Sequence, residues 1–160
     1  MLTTNMVVAL SLTPTEQSDP RWLTDPPVAE TVHIREDDLA TAQLARARLR
    51  AAHNDRGHRT DAPSVVLDVA VHVAHDARTA RTELADARVH APRTVCYIGT
   101  PSGLAGLIAD IAAAHVADGV TIVPLLDTHR VELERCLLDE VLPMLHSRAA
   151  HSESTYRRTA

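Results

Sequence analysis

Two stretches of this chain put hydroxyls and backbone amides where an anion can be held. Ser11-Leu12-Thr13-Pro14-Thr15-Glu16 contains a Thr-x-x-Glu capping box running from Thr13 to Glu16. A helix start with a free hydroxyl is a reasonable anion site. Glu16 competes with that use, because its carboxylate adds negative charge beside a phosphate and can occupy the same amides. An ordinary cap on a short helical turn therefore stands as the other reading. Thr100-Pro101-Ser102-Gly103 has a similar character, with Thr as N-cap and Pro in the first helical position. Here a capped helix start explains the residues with fewer assumptions than a phosphate cradle.

Ten histidines raise the question of a metal. His72 and His75 lie three apart at the end of a strand, where side chains alternate between faces, so the pair diverges. No acidic pair at ligand spacing accompanies them, and no metal site is expected. His53 and His58 flank Gly57 in a loop and His115 falls near a helix end, all read as structural. Cys96 and Cys136 form no metal or redox pattern and read as two buried small hydrophobes. No Ser-His-Asp or Cys-His arrangement has a local signature, so hydrolase chemistry has no support and no catalytic residue is named.

The elements that must position these residues follow from periodicity. Met6 to Leu10 is a short apolar run and reads as a buried strand; 13–27, with Pro20, Pro26 and Pro27, reads as loop after at most one helical turn. Thr31 to Ile34 is the next strand. From Asp38 to about Asn54, Leu39, Ala42, Ala45, Leu49 and Ala52 share one helical face, with acidic residues at the start and arginines toward the end. Val65 to Val73 is apolar at nearly every position, as a strand buried on both faces of a parallel sheet is. Asp76 caps a following Ala-rich helix through Ala77, Ala80, Leu84 and Ala87. Thr100 opens a helix with Leu104, Leu107, Ile108 and Ile111 inward. Val120 to Val123 is a strand, and Leu133, Leu137, Leu138, Val141, Leu142 and Leu145 mark the last helix. Strands and helices alternate, which argues for parallel βα units with right-handed crossovers.

Composition narrows the class. The chain has 160 residues, 45% apolar and 23% charged, with a formal charge of −5. That is enough for one domain with a sizeable core: residues 1–146 read as the folded domain and 147–160 as a disordered polar tail. Every basic residue is Arg and none cluster into a basic face, so nucleic acid is not an expected partner. No long apolar run predicts a membrane span. No signal-peptide pattern is recognised at the start, and a cytoplasmic location is the default expectation.

Four motifs in order carry a family resemblance: Ala29-Glu30-Thr31-Val32-His33-Ile34, Val66 to Ala74 with Asp76-Ala77-Arg78, Gly99-Thr100-Pro101, and Ala117-Asp118-Gly119. Over roughly 7–145 the chain resembles the luciferase-like, flavin-dependent monooxygenases, especially the nitrilotriacetate and alkanesulfonate monooxygenase branch. The resemblance implies an α/β fold that is the C-terminal part of a (β/α)8 TIM-type barrel, with about four or five mostly parallel strands. A complete barrel takes about 250 residues. It also implies an oxidoreductase using reduced FMN and oxygen on a small organic substrate. Thr13 falls at the position of the family's phosphate-binding serine, flanked by Ser11 and Thr15 as cofactor-binding candidates. The family's early strands, which carry most flavin-ring and substrate contacts, have no counterpart here. The alternative is thus a non-catalytic remnant acting as a structural or partner-binding module. A homodimer or a second, barrel-completing chain is the expected partner, with a flavin reductase as a further one.

Overall fold

The computed structural model describes residues 6–11, 20–55, 62–89 and 92–158, with the backbone alone for 151–158. Six strands form one sheet: β1 (Val7–Leu10), β2 (Arg21–Trp22), β3 (Thr31–Ile34), β4 (Ser64–Val73), β5 (Val95–Gly99) and β6 (Gly119–Pro124). The helices are α1 (Leu39–Asp55), α2 (Ala77–Ala87), α3 (Pro101–Ala113), α4 (Arg130–Cys136) and α5 (Leu142–Arg158), with a 3-10 turn at Asp127–His129 and a π turn at Leu137–Val141.

All pairings are parallel except that of the two-residue β2 with β1. The sheet runs β2-β1-β6-β4-β3, so the first long strand lies beside the last one. Strand β4 is the hub because it is ten residues long: its first half pairs with β3, its second half with β5 along that same edge, and its other edge with β6. The expected partial barrel is present. Two strands go beyond expectation, β2 inside the proline-bearing stretch read as loop and β5 in front of Gly99. The two residues of β2 show no period, and β5 runs directly into the Gly99-Thr100-Pro101 signal that reads as a helix start.

Alternation along β4 separates two environments. Val65, Leu67, Val69 and Val71 join Val8, Leu10, Val120 and Ile122 in the main core, closed by Leu104, Ile108 and Ile111 of α3 and by Leu133, Leu137, Val141 and Leu142. The intervening Val66, Asp68, Ala70 and His72 are also buried, on the other face.

Helices α4 and α5 are joined through the π turn, where the Leu142 amide donates to the carbonyl of Leu137 instead of the residue four back. Pro143 explains this: it has no N–H to give, and its ring crowds the carbonyl of Asp139. The extra residue in the turn resets the helix face. Leu137 and Val141 are fully buried, whereas Leu138, expected in the core, is 41% exposed. Helix α5 then continues to Arg158, so 147–158, expected to be a tail without structure, is helical; no Gly or Pro follows Pro143 to stop it. Among the described residues no helix is long and apolar enough to cross a membrane.

Candidate functional site at the carboxyl ends of the strands

Because β1, β6 and β4 are parallel and in register, with Ile122 opposite both Leu10 and Val69, their carboxyl ends open on one side of the sheet. That is the end where barrels of parallel strands place their chemistry. A cleft of about 400 Å³ lies there, between the end of β4, the residues after β6 and the α4 helix. Val71, Val73, Leu126 and Leu133 give it apolar wall; His72, His75, His129, Glu132, Cys136 and Glu140 give it polar groups.

His72 is the most enclosed of these, with only 3% of its side chain exposed. Its Nε2 lies 2.6 Å from Oε2 of Glu83 on α2. The His129 ring meets it edge to face, centroids 5.4 Å apart. His129 is held in turn by Nδ1 at 3.1 Å from the Thr128 hydroxyl. His75, three residues after His72, turns instead to Asp76 at 2.7 Å and is largely exposed. The two histidines border one cleft but answer to different carboxylates. Among the described residues no group of three His, Cys, Asp or Glu side chains is arranged to hold a metal.

The cysteines depart from expectation. Cys96 is exposed and Cys136 half-buried. Burial, then the nearby Glu140 and Asp139, pushes the Cys136 thiol up to about 11, so at neutral pH it lines the cleft as a thiol and not as a nucleophilic thiolate.

A second polar group sits lower on the same sheet face as His72. Asp68, opposite Thr121 in register, accepts a hydrogen bond from Arg35 Nε at 2.7 Å and lies 3.4 Å from His33 Nδ1. Burial alone would raise the pKa of this carboxyl; the bonds from His33 and Arg35 outweigh it and hold it low. Its charge is answered from within, and its role is to keep a buried carboxylate satisfied.

The sequence motifs resolve into structural devices. In the Tyr97 to Gly103 stretch, Thr100 caps α3 by accepting from the Gly103 amide at 3.3 Å, and the Thr100 amide donates to the Tyr97 hydroxyl at 3.2 Å. The Thr100 and Gly103 amides are thus in use. Asp118 binds Arg46 at 2.8 Å, Arg50 at 2.9 Å and the Val65 amide at 3.0 Å, tying α1 and the start of β4 to the entry of β6. His115 lies beyond the end of α3 at φ 53°, with its carbonyl accepting from Arg46 at 3.2 Å. Of the three cofactor candidates, Ser11 follows β1 directly, its amide donating to the Ile122 carbonyl at 2.9 Å, while Thr13 and Thr15 lie outside the described residues. Sequence reasoning missed Glu83, His129, Glu132 and Glu140. Only the 129, 132, 136, 140 spacing on one helical face hinted at the last three, and nothing local hinted at Glu83.

No protein-family profile and no curated protein matches the sequence. Solved structures do. EDTA monooxygenase (EmoA) from Chelativorans sp. BNC1 superposes with a TM-score of 0.61 at 17% identity, over 74% of this chain and 40% of that one. The fold is that of a partial (β/α) barrel, as in part of that enzyme. Riboflavin lyase (RcaE), solved with modified FMN and its substrate riboflavin, matches this partial barrel equally, with a TM-score of 0.61 at 14% identity over 74% of this chain and 39% of that chain. The chain therefore spans about two fifths of the length of either enzyme.

The cleft fits one end of a flavin. Its size and apolar walls suit an uncharged ring system, but its polar rim carries Glu132 and Glu140 and no arginine, which does not fit a phosphate.

Proposed function

We propose that this chain works within a flavin-dependent oxidoreductase of the luciferase-like kind, a monooxygenase acting on a small organic substrate with FMN. The observation that carries the reading is that β1 and Ser11 after it run out on the side of the sheet where the cleft opens. Strand β1 ends at Leu10 beside Ile122, so the chain leaves the sheet at the end where the cleft lies. In this reading the cleft receives the ring and substrate, and Thr13, with Ser11 and Thr15, seats the phosphate. Val71, Val73 and Leu133 exclude water from the ring side. EDTA, the substrate in one neighbour's name, is a polyanion and would meet two carboxylates here, so the substrate differs in charge.

Titration with FMN and with riboflavin, followed by absorbance and fluorescence, tests the reading. FMN is expected to bind at about 0.1–1 mM and riboflavin more weakly, and Thr13→Ala is expected to remove the difference without unfolding the chain. No binding of either compound, or equal binding of both by the wild type, would overturn it.

A non-catalytic, partner-binding module is the second reading. It is favoured by the edge of the sheet: among the described residues β3 pairs with β4 alone, and an unpaired edge invites another strand. We propose a homodimer or a second, barrel-completing chain in either case, with a flavin reductase as partner in the catalytic one. Light scattering that shows a monomer at tens of micromolar, roughly the range of moderate affinity, would remove the assembly proposal.

A further inference from the structure

The polar groups of the cleft are unevenly answered. Glu83 takes Nε2 of His72, and since a carboxylate only accepts, that nitrogen carries a hydrogen; in the Nε2–H tautomer Nδ1 is an acceptor. Nδ1 has no hydrogen-bond partner among the described residues. It is not sealed off either: among the described residues the fully buried side-chain nitrogens and oxygens without a partner are Arg50 Nε and Arg130 Nε. The ring that lines the cleft, 3% exposed, thus carries a nitrogen without a hydrogen-bond partner among the described residues. Glu132 and Glu140, which line the same cleft, have no ion-pair or hydrogen-bond partner among the described residues. No arginine lines the space, and the cleft histidine nearest the surface, His75, is already bound to Asp76.

We infer that this cleft binds a small organic amine, with the amine N–H donating to Nδ1 of His72 and the positive charge facing Glu132 and Glu140. The inference deepens the proposed function by giving the substrate class of the same site. Geometry gives each group a separate part. His72, held in one tautomer by Glu83 and braced by the His129 ring, sets direction; the two glutamates set charge preference; Val71 and Leu133 supply the apolar contact for the carbon skeleton. An anion of the same size loses both polar interactions.

Benzylamine, benzyl alcohol and benzoate share one skeleton and differ in charge, so they serve as probes. The full chain, labelled for NMR at histidine rings and methyl groups, is titrated with each. Benzylamine is expected to shift the His72 and His129 ring signals, with benzyl alcohol weaker and benzoate weaker than benzylamine by about tenfold or more. Glu132→Gln with Glu140→Gln should weaken benzylamine about fivefold while leaving benzyl alcohol unchanged. Both positions are exposed, and an unchanged melting temperature confirms the fold. Glu83→Gln should weaken the amine and the alcohol alike by freeing the tautomer. Benzoate binding as well as benzylamine, shifts confined to residues away from the cleft, or no shift with any probe at about 10 mM would overturn the inference. Benzylamine binding without FMN binding removes the flavin reading and keeps this one; the reverse result does the opposite.

Discussion

The Tyr97 hydroxyl donates to the Thr100 carbonyl at 3.0 Å and fills the turn so closely that a Cβ on Gly103 would lie 2.0 Å from its oxygen. The glycine at 103 is thus explained by a side chain, and the tyrosine by the backbone groups it closes. Gly103→Ala is expected to cost about 1–3 kcal/mol in the wild type, since a packed turn must open to admit it. In a Tyr97→Phe background the same change should cost much less. A double-mutant cycle by urea denaturation measures the difference; additive effects would show that the two residues are not coupled.

Asp118 gives a prediction with a pH sign. Burial alone would raise its pKa, but hydrogen bonds from Arg46, the Val65 amide and Arg50 outweigh that and lower it. A folded pKa below the unfolded one means the stabilisation is complete above the unfolded value, about 4, and is lost as pH falls through the folded value. Asp118→Asn should cost about 1–3 kcal/mol at neutral pH. It should also flatten the fall of melting temperature below about pH 4. Parallel curves for wild type and variant would refute the assignment.

Gly119 faces backbone rather than side chain. An added Cβ would meet the Val7 carbonyl oxygen at 2.8 Å, across the β1–β6 pairing. Relief requires β1 to move, so Gly119→Ala is expected to destabilise by about 1–3 kcal/mol. Hydrogen exchange should quicken first at Val7 and Ser11, whose amides donate to the Asp118 and Ile122 carbonyls across that pairing, and unchanged protection there would count against the close approach.

The π turn separates two adjacent leucines. Leu137→Ala and Ile108→Ala should each cost about 2–5 kcal/mol, because both side chains are buried in the shared core of α3 and the π turn. Leu138→Ala should stay within about 0.5 kcal/mol. Comparable denaturation midpoints for Leu137→Ala and Leu138→Ala would show the helix running through without the reset.

The order of strands and helices, the caps at Asp76 and Thr100, the inward stripe of Leu104, Ile108 and Ile111, and the barrel resemblance were all legible in the sequence. Each depends on local spacing, and local spacing survives in any context. Three-dimensional pairing decided the rest. Val95 to Gly99 becomes a strand because the long β4 has a free half-edge for it, and Leu138 leaves the core because Pro143 five residues on forces an extra residue into the turn. Ala117-Asp118-Gly119, read as a family mark, proves to be the place where two arginines of α1 and the first amide pairs of β4 and β1 meet. The cleft is the clearest case. His72, Glu83, His129, Glu132 and Glu140 come from a strand end, a helix, a 3-10 turn, a second helix and the π turn, up to 68 positions apart by the numbering. No spacing rule links His72 and Glu83 to the helical row from His129 to Glu140, because their proximity is created by the parallel strands that bring every βα turn to one end of the sheet.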